Sequence, residues 1–254
     1  MCLILLAWQV HPGYPLVVAA NRDEFFARPA APAEFWADHP SVLAGRDLSA
    51  GGTWMGVAGN GRFAALTNHR GLSHARNDAP SRGPLVANFL GGAEPPETCC
   101  KRLAGQDGRP YNGFNLLVGD CDKLFWVSNV SGEARQLPAG IYGLSNELLD
   151  TPWPKVEQSK SALAKALQAL PDDQPLFQLL LDDTTYPDDM LPRTGIDMEW
   201  EKLLSAAFVR GPGYGTRCST VLLRERTGNI LFDEQTWLEQ ARPGPRHRFR
   251  FSMA

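Results

Sequence analysis

The tightest constraint on this chain lies in its first two dozen residues. Cys2-Leu3-Ile4-Leu5-Leu6-Ala7-Trp8 is a short apolar run, and His11-Pro12-Gly13-Tyr14-Pro15 is turn chemistry. Leu16-Val17-Val18-Ala19-Ala20 is a second apolar run that leads into Asn21-Arg22-Asp23-Glu24. Apolar runs this short, bounded by Pro and Gly, read as buried strands. A hairpin of the two returns Asn21, Arg22 and Asp23 to the side of Cys2. Removal of Met1 would leave Cys2 first in the chain, with a thiol and an α-amino group on one carbon. An α-amino group titrates near ~7.7–8.0, so it can take the thiol proton as an adjacent general base without any histidine. An arginine there favours thiolate, and an aspartate can hold the ammonium or orient the arginine. On composition alone the same cysteine reads as the start of a buried strand, cysteine being among the most buried residue types.

Composition sets the outer bounds. With 254 residues, 43% hydrophobic and 21% charged, the chain can bury a sizeable core. A net charge of −3 and a pI near 6.0 give no electrostatic footprint for nucleic acid or an anionic membrane. Cysteines at 2, 99, 100, 121 and 218 form no C-x-x-C spacing, so no metal and no cofactor is expected. Their odd count points to reduced thiols and a cytoplasmic protein. The apolar start stops at Gln9, too short for a signal peptide or a spanning helix. Without a second lipid signal, acylation of Cys2 gives no stable membrane anchor.

Along the chain, Phe25 to Pro40 is Ala/Pro/Trp-rich and reads as irregular connection, with Pro29, Pro32 and Pro40 breaking any helix. Asn60-Gly61 is a tight-turn signal between Gly51–Val57 and Arg62–Arg70, so these form a hairpin that ends on Asn68, His69 and Arg70. Residues 71–82 are a polar loop. Gly83–Leu90 and Pro96–Leu103 are spaced as short helices, and 111–119, 124–129, 134–137 and 140–144 as a meander of strands. Val156–Leu170, Pro175–Leu181 and Trp200–Phe208 are the next helical candidates. Between the last two, Asp182, Asp183, Asp188 and Asp189 could bind a divalent cation. Lacking a glycine-centred loop, they read as a solvated acidic stretch. Strands return at 215–224 and 230–234, and the basic tail from Arg242 to Arg250 reads as a solvated end. With no repeat or long linker, residues 1–254 are expected to form a single domain of two sheets with helices outside.

Taken together, Cys2, Asn21-Arg22-Asp23-Glu24, Gly51-Gly52-Thr53-Trp54, Thr67-Asn68-His69-Arg70, Tyr111-Asn112-Gly113-Phe114-Asn115-Leu116, Gly143-Leu144-Ser145-Asn146 with Thr151-Pro152-Trp153-Pro154-Lys155, and Thr216-Arg217-Cys218-Ser219-Thr220 resemble the NRDE family. Its eukaryotic relatives are called transport and Golgi organisation protein 2, and the similarity covers nearly the whole chain. That family in turn resembles the N-terminal-nucleophile hydrolases. The resemblance implies an α+β fold, a four-layer αββα sandwich of two antiparallel sheets flanked by helices. The branch similar in arrangement is the choloylglycine hydrolase and penicillin V acylase group. By motif match its roles fall on Cys2, Asn21, Asp23, Asn146 and Arg217, with Arg22 beside them and Asn68 as a further oxyanion donor. In that branch the arginine precedes the asparagine, whereas here Arg22 follows Asn21, so its side chain is expected on the opposite strand face.

Two functions follow from the resemblance. One is an N-terminal cysteine hydrolase of a non-peptide linear amide or a thioester. The other is a non-catalytic protein that binds and traffics haem, acyl-CoA or lipid on the same scaffold. The histidines at 11, 39, 69, 74 and 247 are scattered and no C-x-x-C-H is present, so no haem site is legible. Trp8, Trp54, Trp126 and Trp153 are candidates to line an apolar pocket and equally to fill a core.

Overall fold

The computed structural model describes residues 2–71 and 76–254. In chain order the strands and helices are β1 (Cys2–Trp8), β2 (Leu16–Phe25), β3 (Ala30–Phe35), β4 (Val42–Asp47), β5 (Met55–Ala58), β6 (Phe63–Asn68), α1 (Gly83–Gly91) and α2 (Pro96–Ala104). They continue with β7 (Phe114–Gly119), β8 (Leu124–Ser128), β9 (Glu133–Gln136), β10 (Gly140–Leu144), α3 (Pro154–Ala166), α4 (Gln174–Leu179) and α5 (Met198–Leu203). The chain closes with β11 (Tyr214–Arg224), β12 (Asn229–Leu238) and β13 (Arg242–Ser252). The fold is α+β, with two antiparallel sheets ordered β10-β1-β2-β11-β12-β13 and β3-β4-β5-β6-β7-β8-β9.

The chain divides into two compact units. One comprises residues up to Ala27 and Ala139–Arg250; the other comprises Arg28–Pro138 and Phe251–Ala254. In the first, α3 and α4 cover one face of the sheet: Leu3, Leu5 and Ala7 of β1, Val17 and Ala19 of β2, and Val221 and Leu223 of β11 pack with Val156, Leu163, Leu176 and Phe177. The alternate residues Ile4, Leu6, Val18, Ala20 and Leu222 are also buried, so the strands are apolar on both faces and the sequence shows continuous runs. In the second unit, α1 and α2 cover Val42, Ala44, Ala64, Leu66, Leu116 and Val118 with Leu85, Val86, Phe89 and Leu103.

Local chemistry fixes the joints. At Asn60-Gly61 the chain turns from β5 into β6 with Gly61 at φ +82°, which only glycine adopts without strain. In the Gly51-Gly52 motif, a Cβ on Gly52 would lie 2.3 Å from the backbone of Gly83, so that glycine lets α1 start against the β4–β5 connection. Pro154 opens α3, where its missing N–H costs nothing.

Three expectations fail. Phe25–Pro40 is not irregular: β3 forms there as the outer strand of its sheet, where Pro32 is tolerated because one edge makes no ladder bonds. The basic tail is β13. Its arginines fold back, and Arg246 and Arg248 donate to buried Asp233. Trp200–Phe208 is helical only as far as Leu203; Leu204, Phe208 and Val209 are buried in a turn leading to β11. The acidic stretch is used locally: Asp182 accepts from Gln158, Asp183 pairs with Arg210, and Asp188 with Lys202. Part of the expected 71–82 loop, residues 72–75, lies outside the described residues, as does Met1.

Candidate active site

Strand register places the motif residues. Across β1 and β2, Cys2 lies opposite Arg22 and Leu3 opposite Asn21. Across β2 and β11, Arg22 lies opposite Cys218, Asn21 opposite Ser219, and Asp23 opposite Thr216. Directly opposed residues share a face and successive residues alternate. One face therefore carries Cys2, Arg22 and Cys218, and the helix-covered face carries Asn21, Asp23, Thr216 and Ser219. Arg22 is separated from Asn21 and Asp23, as their order implies, and that puts its guanidinium on the face of the Cys2 thiol. The register shifts between Thr216 and Cys218, which makes Arg217 the extra residue of a bulge. A bulge re-aims a side chain. Here Arg217 Nη1 donates to the Phe25 and Phe26 carbonyls at 2.8 and 3.5 Å, with the guanidinium carbon 5.3 Å from the Phe26 ring.

β10 pairs with β1 from Ile4 opposite Leu144 onward, so the chain leaves β10 beside the start of β1. Ser145 and Asn146 are thereby delivered to Cys2. The Cys2 backbone N–H donates to Asn146 Oδ1 at 3.3 Å, and Ser145 Oγ donates to the Cys2 carbonyl at 3.1 Å. Cys2 is 8% exposed and Asn146 is fully buried. The loop behind them is pinned by Asp150, whose Oδ1 accepts from the Gly143 N–H and Lys160 Nζ, each at 2.8 Å.

On the helix-covered face the polar side chains converge on residues 204–209. Asn21 Nδ2 donates to the carbonyls of Leu180 (2.7 Å) and Ala207 (2.9 Å), while Asn21 Oδ1 accepts from Ser219 Oγ at 2.6 Å. The Asn21 amide thus acts as a tie between strands and turn. Thr216 Oγ1 donates to Asp23 Oδ1 at 2.7 Å and accepts from the Val209 N–H at 2.9 Å, and the Tyr214 hydroxyl donates to the Asp23 carbonyl. Lys155, buried at the start of α3, donates from Nζ to the carbonyls of Leu204 (2.8 Å) and Ala206 (3.5 Å).

Burial sets the electrostatics. It pushes the Cys2 thiol above its ordinary range; the Asp23 charge acts in the same direction, while the positive charge of the chain's N-terminus, Arg22 and the Asp23 backbone N–H act against it. The resting group at neutral pH is therefore the thiol. Burial also raises the Asp23 carboxyl, opposed first by the positive charge of the chain's N-terminus and then by the Lys155 charge, the Thr216 hydroxyl and Arg22. Burial and the neighbouring Arg22 lower Arg217, and burial with Glu234 pushes Cys218 well up.

Cys2, Arg22, Asp23, Asn146 and the supporting Asn21 thus come together in the first unit, with Arg217 at the rim on its bulge. Asn68 belongs to the second unit, at the end of β6 opposite Phe114, followed by His69, whose N–H donates to Gly113. Trp8, Trp126 and Trp153 are buried, and Trp153 packs in the core beneath α3. Lys155 stands in a motif that the sequence singles out, yet sequence reasoning gave it no role. The available signal was a lysine one residue into a helix between Trp153, Pro154 and Val156, an apolar setting for a charge.

These features define an α+β protein whose first strand opens on a buried cysteine held to an asparagine at the end of a neighbouring strand. The chain belongs to the Transport and Golgi organisation 2 family, whose model matches residues 1–239. It is 38% identical to the "Transport and Golgi organization protein 2 homolog" of Bos taurus over 261 residues, covering 94% of both chains. It is 36% identical over 264 residues to the homologue of Homo sapiens, again covering 94% of each. Among solved structures it is similar to a C2A mutant of the conjugated bile acid hydrolase from Clostridium perfringens. That likeness has 14% identity and a TM-score of 0.48, covering 100% of this chain and 92% of that one.

Proposed function

We propose that the chain is an N-terminal cysteine hydrolase acting on a non-peptide linear amide or a thioester. The observation that carries this reading is the 3.3 Å contact of the Cys2 backbone nitrogen with Asn146 Oδ1, which joins the candidate nucleophile to its candidate oxyanion residue. After Met1 is removed, the Cys2 amine takes the thiol proton and Sγ attacks the acyl carbonyl carbon. Asn146 Nδ2 and a backbone N–H hold the oxyanion. As the tetrahedral adduct collapses, the C–N or C–S bond to the leaving group breaks and the ammonium returns the proton to that group. Water, deprotonated by the same amine, then cleaves the Cys2 thioester and frees the acid. Asp23 orients the ammonium, and Arg22 stabilises the thiolate from the thiol's own face. Starting from a thiol suits this scheme, since the proton moves only when the amine is free to accept it.

All five cysteines are free, which supports a reducing, cytoplasmic setting. Among the described residues, no helix is long and apolar enough to cross a membrane. The test is turnover of a panel of acyl amides and acyl thioesters by the processed protein and by Cys2→Ser. Turnover lost in the variant supports the reading; equal rates for both sink it. A second reading is a non-catalytic carrier of haem, acyl-CoA or lipid on the same scaffold. It predicts that Cys2→Ser retains ligand affinity.

A further inference from the structure

Lys155 is a charged group that the hydrolysis scheme leaves unused. Lys155 as a whole is 3% exposed, and burying a charge is costly without compensation. Two carbonyl acceptors, Leu204 and Ala206, meet it at one end of the 204–209 turn. The same turn is tied to β2 by Asn21 through the Ala207 carbonyl, and to β11 by Thr216 through the Val209 N–H. Thr216 is hydrogen-bonded directly to Asp23. A buried cation and a buried carboxylate are therefore mounted on opposite ends of one short segment. The start of α3 itself lies close on β10, where a Cβ on Gly143 would stand 2.6 Å from Val156 Cγ1.

We propose that Lys155 is a positioning residue whose buried ammonium supplies the counter-charge that keeps Asp23 ionised, so that the carboxylate can hold the α-ammonium of Cys2. The inference rests on the hydrolase reading for the purpose of that carboxylate. The groups acting on Asp23 are the positive charge of the chain's N-terminus, Lys155 from α3, Thr216 from β11 and Arg22 from β2. Among these, Lys155 is the cation carried by the helix layer. A group that only anchored the turn would serve equally well as a neutral donor.

The experiment is a pH titration of the aspartate carboxyl carbons by NMR in the full-length protein, with the Asp23 signal assigned by its loss in Asp23→Asn. Lys155→Gln keeps a donor for the Leu204 carbonyl and removes the charge, whereas Lys155→Arg keeps the charge. The expected result is an Asp23 midpoint raised by at least one pH unit in Lys155→Gln, a tenfold change in proton affinity, with Lys155→Arg close to the unaltered protein. A midpoint that stays in place in Lys155→Gln overturns the proposal. If that variant does not fold, the unaltered protein supplies the test: an ionised Asp23 at pH 7 is expected, and a protonated one overturns the inference. Acyl turnover is read separately. A midpoint that moves in a protein with no turnover supports the electrostatic coupling and removes the hydrolase reading alone.

Discussion

Asp233 on β12 and Asp23 on β2 are both buried in the first unit's sheet, and the protein treats them in opposite ways. Asp233 receives three charged N–H donors, two from Arg246 at 2.8 and 2.9 Å and one from Arg248 at 2.6 Å; Arg248 also reaches Asp173 at 2.6 Å. Both arginines are 36% exposed, so water shares the cation side of the pair while the carboxylate stays dry. Asp23 accepts from a neutral hydroxyl at 2.7 Å, and its cations, Lys155 and Arg22, act as charges on it. A carboxylate saturated by guanidinium forks is a clamp, here holding the edge strand β13 onto the sheet. A carboxylate that meets a hydroxyl and nearby charges, with no guanidinium fork among its hydrogen bonds named above, is a different kind of group. The difference separates a fastening from a site, although burial is nearly the same in the two.

The contrast can be broken or sharpened by substitution. The largest stability effect is expected for Asp233→Ala, which strands two arginines. Because both reach solvent, the loss should fall toward the lower end of about 3–5 kcal/mol in a denaturant melt. Turnover of the folded fraction should be unaffected. Asn146→Ala should do the reverse, lowering kcat about 10²–10³-fold, equivalent to ~2.7–4 kcal/mol of barrier, with a much smaller change in stability. Asp23→Asn sharpens the comparison through pH. Its folded carboxyl is raised, so its contribution favours the fold below the unfolded value and is lost as pH rises through the folded value. The variant should therefore melt higher than the parent at pH 7, with the gain vanishing toward pH 3. The smallest effect is a profile: alkylation of Cys2, followed by peptide mass, should reach half-maximum above the ~8.5 of a free cysteine.

Much of the fold was legible because its strands are short apolar runs with turn chemistry at their ends. β1, β2, the β5–β6 hairpin and the meander from β7 to β10 follow directly from that pattern. β13 was not, since Arg242 to Arg250 carries the composition of a solvated tail. What makes it a strand is Asp233 and Asp173, residues outside the tail whose burial no local pattern reveals. β3 was hidden by Pro29 and Pro32, which argue against a central strand but not against an outer one. At the site, the alternation Asn21-Arg22-Asp23 correctly implied two faces. Which face carries the thiol depends on the pairing of Cys2 with Arg22, and that is set by hairpin register. The burial of Lys155 depends on the 204–209 turn supplying carbonyls to α3 from a distance in sequence that no motif spans.

The most direct measurement is the intact mass of the protein expressed in a cell, taken before and after incubation with a panel of acyl amides and acyl thioesters. Loss of Met1 together with an acyl adduct, mapped to Cys2 and absent in Cys2→Ser, is the predicted result. Retention of Met1 would leave Cys2 without a free amine and would contradict the N-terminal nucleophile at the centre of the proposal.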